Sequence, residues 1–369
     1  MQLLDRMARL GRPGRGLAAR LDLLSFAGPR YYLRRLREER RYARFRDGAR
    51  DALYERIWRE AAAAVGAEAT SLGPGQLELS RDGAKTRVDR RVVSLDDPDA
   101  LRLAEDKTEA HRLLVNAKVT VPEYAEFRFD DQAPAQEFME GIGGPCVVKP
   151  AAGTGGGHGV TAGIADTDDL RRACTYAARA TDRLLIERQA PGPVYRLLLL
   201  DGELLDVVRC TPERLTGDGR SPISGLMRAE NARRVAAFGA AGLALLGLDL
   251  DLALTLEHAG LSLASVPDAG RSVPIRTITN SSAPEQCETY TGPIADSTKE
   301  EARAGAEAVG LRLAGVDVIT PDPTRPLREV GGVVNEVNGR PGLHHHYLVA
   351  NPERATPVAT PILERLLSE

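Results

Sequence analysis

No apolar run in this 369-residue chain approaches the roughly 18 residues that would span a bilayer, so a membrane-spanning protein is not expected. Met1 to Arg20 lacks the continuous apolar centre and the small-residue cleavage site of a secretory signal. Cysteine is sparse, and Cys146, Cys174, Cys210 and Cys287 show no CxxC spacing. Free thiols in a reducing compartment are therefore expected rather than a zinc site, with the cytoplasm as the setting. Glycine (36) and proline (23) keep to an ordinary globular share, which excludes a collagenous or low-complexity chain. Lysine is nearly absent: Lys85, Lys107, Lys118, Lys149 and Lys299 stand against 44 arginines. Each retained lysine is thus a candidate for a specific task.

The net charge of −3 hides an uneven distribution. The first 50 residues carry 14 arginines and 5 acids, and the remainder carries 35 basic and 47 acidic residues. Arginines from Arg34 to Arg50 are interleaved with Leu33, Leu36, Tyr42 and Phe45, the pattern of an amphipathic helical arm with a solvated face. So basic a stretch also suits RNA or an acidic substrate, nucleic acid being the less expected partner.

Arg50 to Val65 reads as a helix, with Leu53, Ile57 and Ala61 at helical spacing. Gln76 to Leu79 and Thr86 to Val88 alternate around Arg81-Asp-Gly-Ala, a hairpin signal. Further on, Cys146 to Lys149 and Arg183 to Glu187 read as strands, and Asp166 to Ala180 as a helix with an acidic start. Tyr195 to Leu200 and Glu203 to Val208 form a hairpin closed by Asp201-Gly202, where glycine supplies the positive φ of a type I′ turn. Arg303 to Leu313 is helical, Gly315 to Thr320 a strand, and Val333 to Asn338 its partner. The class is α+β with antiparallel sheets. The expected division is a basic helical arm (1–48), a small N-terminal α/β subdomain (49–104) and a main domain (105–369), split near 220.

Two stretches carry chemistry. Between Gly153 and Gly159 five of seven residues are glycine, which leaves backbone N–H groups free to wrap phosphate oxygens, with Lys149 at the end of the strand before. No Gly-Lys-Ser/Thr occurs, so this is not a Walker loop, and His158 breaks the dinucleotide fingerprint. Near the other end, Glu336 and Asn338 share one face of a strand, and Asp317 lies inside another. Two carboxylates and an amide oxygen are hard ligands suited to Mg²⁺, although an acid in a strand equally suits a salt bridge.

The order of these pieces resembles the ATP-grasp superfamily, in particular the ATP-grasp part of cyanophycin synthetases and related carboxylate–amine ligases. The matching stretches are Asp106-Lys107 with Val119-Thr-Val-Pro122, Val147-Val-Lys-Pro150 with its glycine loop, and Leu185-Ile-Glu-Arg188 with Pro191-Gly192. Tyr195-Arg-Leu-Leu198, Gly217-Asp-Gly219, Gly315-Val-Asp-Val-Ile319 and Arg325 to Asn338 with Pro341-Gly342 continue the series over residues 105–350.

The resemblance implies an ATP-grasp fold with ATP and Mg²⁺ as cofactors, Mn²⁺ being a substitute. It implies that Lys107 and Lys149 hold phosphates, that Gly155, Gly156, Gly157 and His158 close over them, and that Arg196 lies at the nucleotide. Glu187, Arg188 and Ala190 belong to the hinge that reads adenine. Arg276, with Asn280 close by and Lys149, would neutralise the transferred phosphoryl group, and Asp317, Glu336 and Asn338 would ligate the metal. Val194 stands where the family often has an acid that meets the ribose. Among His344, His345 and His346, the last matches a family histidine near the acceptor end, so substrate contact or plain loop polarity is expected there rather than a metal.

The implied activity joins a small-molecule or peptide carboxylate to an amine through an acyl phosphate, in a soluble enzyme that a homodimer would also suit. Neither a second ligase domain nor, with it, synthesis of an Asp–Arg polymer is expected. Alternatives are another ATP-grasp reaction on a small metabolite, or a silent nucleotide-binding protein. Lys149→Ala is expected to leave stability nearly unchanged, and deletion of residues 1–45 to leave an ATP-binding core.

Overall fold

The computed structural model describes residues 2–155, 157–238, 245–279 and 284–369. Three helices open it: α1 (Gln2–Ala8), α2 (Gly11–Ala27) and α3 (Pro29–Ala64). Helix α3 is 36 residues long and continues without a break through positions 48 and 49. The basic segment is helical, as its periodicity predicts, but it is not a free arm. Leu23 is buried with Phe127, Val148 and Leu170, and Phe26 and Tyr31 pack against Ile223 and Leu252. Arg15 is buried, donates to the Ala178 carbonyl at 3.0 Å and pairs with Asp182. Removing residues 1–45 would strip apolar cover from two cores, contrary to the expectation from motif positions.

After α3 come three antiparallel strands, β1 (Glu68–Gly73), β2 (Gln76–Arg81) and β3 (Ala84–Asp89). Only the β2–β3 pair was signalled in sequence. Helices α4 (Pro98–Glu105) and α5 (Lys107–Asn116) lead to β4 (Tyr124–Arg128), α6 (Ala133–Ile142), β5 (Cys146–Pro150), β6 (Thr161–Ile164), α7 (Thr167–Ala177) and β7 (Arg183–Arg188). These four strands form one sheet in the order β4-β7-β5-β6.

A second sheet follows. Strands β8 (Val194–Leu200) and β9 (Glu203–Cys210) are joined at Asp201 (φ 49°) and Gly202 (φ 80°), both in the positive region that a type I′ turn requires. Then come β10 (Arg214–Thr216), α8 (Ile223–Phe238), α9 (Leu250–His258), β11 (Ser272–Pro274) and β12 (Cys287–Thr289). The chain closes with α10 (Asp296–Val309), β13 (Leu313–Ile319), α11 (Leu327–Val330), β14 (Val333–Asn338) and α12 (Ala359–Leu366). The five-stranded order is β12-β9-β8-β13-β14, and β10 pairs with β11 alone.

Alternation along the central strands separates two cores. Leu197, Val316 and Val337 pack with Ala302 and Ala306 of α10, whereas Leu198, Leu200 and Leu313 meet Ile57 and Trp58 of α3 and Ile362 of α12. That second face also carries the charged residues described below.

The expectation of four free thiols fails for one pair. Cys210 and Cys287 stand opposite each other in the β9–β12 ladder and are joined by a disulfide, with Cα atoms 4.2 Å apart. They lie 77 residues apart in sequence, so only the strand pairing brings them together. Cys146 and Cys174 remain buried thiols.

Candidate active site

Strand register builds one wall of the site. In the β8–β13–β14 ladder, Arg196 is opposite Asp317, and Asp317 is opposite Glu336. Directly paired residues show their side chains on the same face, so the three form one cross-strand row. Arg196 reaches both oxygens of Asp317, Nε at 2.8 Å and Nη2 at 2.9 Å, a bidentate fork. Asn338 follows two residues after Glu336, opposite Gly315, and its amide nitrogen donates to the Gly315 carbonyl at 3.4 Å. The amide oxygen is then the atom left for a cation.

The facing wall comes from the four-stranded sheet and α5. Asp106 caps α5 by accepting the Thr108 and Glu109 amides at 3.1 and 3.3 Å, and the Lys107 amide donates to the Ala151 carbonyl at 2.8 Å. The helix start is thereby tied to the entry of the glycine loop. From there the Lys107 ammonium pairs with Glu336 at 3.0 Å and approaches the Thr154 carbonyl at 3.4 Å. This ion pair joins the start of α5 to β14.

Lys149, on β5, is buried and pairs with Glu187 of β7 at 2.6 Å. Val147 stands opposite Glu187 in the ladder, so Lys149, two residues on, shares its face. His111, one turn after Lys107 on α5, completes the group: its Nε2 is 3.0 Å from Glu187, and its Nδ1 contacts the Lys107 carbonyl at 2.9 Å. Burial pushes the Glu187 carboxyl up, but Lys149 and His111 outweigh it and hold the group at about 2. Glu336 behaves alike, with burial opposed by Lys107 and Lys149, and ends below the usual carboxylate range.

The glycine loop joins β5 to β6. Gly153, Gly157 and Gly159 have positive φ, and a Cβ on Gly159 would meet the Pro150 ring at 2.9 Å. His158 is exposed at the loop tip, and Gly155 accepts its amide at 3.4 Å. Arg188 turns to Glu123 at 2.7 Å, and Ala190 is half-buried after the strand.

Arg276 lies in a different cluster. It is buried between Glu213 (3.3 Å) and Asp249 (2.7 Å), and Glu213 also holds Arg234 at 2.9 Å. Beside it Asp251 accepts the amides of Ala162, Thr277 and Ile278 at 3.3, 3.0 and 3.3 Å. Burial and neighbouring Asp249 raise Asp251 to about 6. No described contact joins Arg276 to the row of Arg196, Asp317 and Glu336. Asn280 and Gly156 lie outside the described residues.

Sequence reasoning missed His111, Asp206 and Tyr54. For His111 a signal existed, the i, i+4 spacing from Lys107 on one helix face. Asp206 and Tyr54 enter through the short 3₁₀ turn Leu343–His346, where His346 Nδ1 lies 2.6 Å from Asp206 and His344 Nδ1 lies 2.9 Å from the Tyr54 hydroxyl. His344 and His346 are both buried, so they are not plain loop polarity.

Two sheets that face each other through a glycine loop, two lysines and a row of acids define the ATP-grasp class of protein. Residues 106–194 match the family model described as carbamoyl-phosphate synthase L chain, ATP binding domain. A cyanophycin synthetase of Trichormus variabilis is 33% identical over 248 residues, covering 67% of this chain and 27% of that protein. The glutathione biosynthesis bifunctional protein GshAB of Enterococcus faecalis is 29% identical over 277 residues, covering 73% of this chain and 35% of that protein. In three dimensions, a bifunctional glutathione synthetase from Pasteurella multocida matches with a TM-score of 0.55 at 21% identity, over 86% of this chain and 43% of that one. The chain belongs to the ATP-grasp superfamily. It spans about a quarter to a third of the length of the curated relatives it matches. No helix among the described residues is long and apolar enough to cross a membrane.

Proposed function

We propose that the chain is an ATP-dependent, ADP-forming carboxylate–amine ligase. The observation that carries this reading is the Lys107–Glu336 ion pair, which sets a cation at the start of α5, where the Lys107 amide meets the entry of the glycine loop, against a carboxylate of β14 at 3.0 Å. A nucleotide between the sheets would supply an anion to Lys107 and Lys149, and its divalent ion would replace the Lys107 ammonium at Glu336.

The donor set fits Mg²⁺: Asp317, Glu336 and the Asn338 oxygen are hard oxygen ligands on neighbouring strands, and substrate phosphates supply the rest. Among the described residues no three His, Cys, Asp or Glu side chains gather as ligands, so a dedicated all-protein cage is not the reading. Mn²⁺ would substitute on the same oxygens. Bound there, the ion would neutralise phosphate charge during transfer.

The acid's carboxylate attacks the γ-phosphorus of ATP, the bond to the ADP oxygen breaks, and an acyl phosphate forms. The amine then attacks the acyl carbon, phosphate leaves with the bonding pair, and the amine gives up a proton. Phosphate leaves readily where carboxylate oxygen does not, which is why ATP is consumed. Lys107 and Lys149 orient and neutralise the phosphates, with the amides of Gly155, Gly156 and Gly157 around them and His158 at the loop tip. Glu187 places Lys149, and the segment through Arg188 and Ala190 borders the adenine. Arg196 steadies Asp317. Arg276, with Asn280, is assigned the transferred phosphoryl group, for which it would exchange Glu213 or Asp249.

Amino acids or peptides are the proposed substrates, residues 105–369 the proposed ATP-binding domain, and the cytoplasm, where ATP is abundant, the setting. A homodimer is read by light scattering. The deciding experiment is ADP release with Mg²⁺ and pooled acids and amines. Release only when both are present supports the ligase. Release indifferent to every acid and amine sinks it.

A further inference from the structure

Helix α3 reaches the same sheet face that carries the site. Its Tyr54 holds His344, and Arg50 lies one turn earlier, on the same side of the helix. The loop after β14 folds back over the sheet, with Pro341 covering Gly315: a Cβ on Gly315 would meet it at 3.0 Å. Gly315 is two residues from Asp317 on the same face, so the turn that bears His344 sits beside the end of the Arg196–Asp317–Glu336 row.

The donors at this place outnumber the acceptors. The Tyr54 hydroxyl lies 2.9 Å from His344 Nδ1, and with the phenol as the donor there the ring proton is on Nε2. That Nε2 is buried and has no hydrogen-bond partner among the described residues. Arg50 is half-buried, its Nε is buried, and it too has no partner among the described residues. Arg50, Arg196 and Arg91 all act on His344, which burial and then these guanidiniums pull well below its usual value. His345 stacks on His344, ring centres 4.1 Å apart, and feels Arg196 and Arg50 as well. The carboxylates close by are already taken: Asp317 by Arg196, and Asp206 by His346 and Thr356.

A buried N–H without an acceptor costs free energy, and two of them beside a surplus of positive charge call for an acceptor-only, anionic group. We propose that Arg50 and His344 form a seat for a non-reacting carboxylate of the substrate, such as the terminal carboxylate of an amino acid or peptide. Phosphate is not the assigned occupant, because Lys107, Lys149 and the glycine loop supply that role from the opposite wall. The seat makes α3 a specificity element rather than a strut. The identification of its occupant as substrate rests on the ligase reading; the seat itself does not.

The test uses the full chain labelled with ¹⁵N-histidine, with the His344 signal assigned through His344→Gln. N-acetylglycine is titrated without nucleotide, in parallel with N-acetylglycinamide, inorganic phosphate and MgATP. The expected result is a saturable shift of His344 with the acid and none with the amide. A charge-assisted hydrogen bond is worth enough that Arg50→Gln should weaken the acid about tenfold or more, with Arg50→Lys in between. Urea midpoints of both variants should match the parent, because Arg50 makes no ion pair with a described residue. Equal shifts with the amide, a shift only with phosphate or MgATP, or unchanged affinity in Arg50→Gln would each overturn the seat. Acid binding here without acid- and amine-dependent ADP release would instead remove the ligase reading and leave the seat standing.

Discussion

Arg196 and Arg276 are both held by carboxylates inside the protein, yet their partners come from different kinds of place. Arg196 grips one carboxylate, Asp317, across a strand pair, and the next member of that row, Glu336, is satisfied by a lysine at the start of α5. Arg276 is closed on two sides by groups with structural duties of their own. Asp249 also caps α9 through the Leu252 amide at 3.0 Å, and Glu213 also holds Arg234. Removing one member of the first cluster frees a group that a phosphate or a cation can satisfy. Removing Arg276 from the second takes the cation from Asp249 and leaves Glu213 to Arg234 alone, with no exchangeable ligand to replace it. Charge pairs that span a cleft are exchangeable, and those knitted into one layer hold structure.

The sharpest break is Glu336→Gln, which keeps shape and removes the charge facing Lys107. ADP release at saturating ATP should fall by roughly 10²–10³-fold, with the far-ultraviolet spectrum intact. Full activity would misplace the metal site. Asn338→Ala should lose less, since it withdraws a neutral dipole rather than a charge.

Next come Arg276→Ala and Lys149→Ala. Lys149→Ala leaves buried Glu187 with His111 alone, and Arg276→Ala leaves Asp249 without its cation and Glu213 with Arg234 alone, each at a cost of about 3 kcal/mol in a urea titration. For Lys149 this reverses the expectation of little loss, because its ammonium is buried against Glu187 rather than poised at an open strand end. Arg276→Lys should recover more stability than activity if the bidentate guanidinium geometry matters for transfer. Equal recovery of both would make Arg276 structural only.

A third test concerns the edge of the central sheet. Cys210→Ser should cost about 2–4 kcal/mol in buffer without reductant and nothing once dithiothreitol is present in both samples. A loss that persists in reductant would assign the cost to packing around Val349 rather than to the crosslink.

The smallest effect is a pH slope in the Arg276 cluster. Asp251 sits at about 6 in the folded protein, above the ordinary carboxyl value of 3.8, so the native state holds the proton more tightly. Its contribution is full below the ordinary value and is lost as pH rises through about 6, a fall of about 2–3 kcal/mol. Asp251→Asn should flatten that decline between pH 4 and 6, measured by urea midpoints. An unchanged slope would place the proton elsewhere.

Much of the site was legible in residues. Strand pattern singled out Lys149, Asp317 and Glu336 and the family resemblance singled out Lys107, and in the structure Lys107 pairs with Glu336 while Asp317 stands opposite it and Lys149 pairs with Glu187. Arg276 was singled out with equal reason and lies apart, since nothing in its own segment says which carboxylates will surround it.

By itself the sequence determined the β8–β9 hairpin, the β13–β14 pair, the positive-φ turn at Asp201-Gly202 and the glycine loop. Alternation, turn chemistry and the conformational freedom of glycine act over a few residues, so they are written where they are used. Tertiary structure alone decided that Cys210 meets Cys287 across 77 residues, that Tyr54 meets His344 across 290, and that the arginine-rich helices dock instead of standing free. These contacts depend on how sheets and helices pack, where burial of apolar faces sets position and distant side chains meet as a consequence.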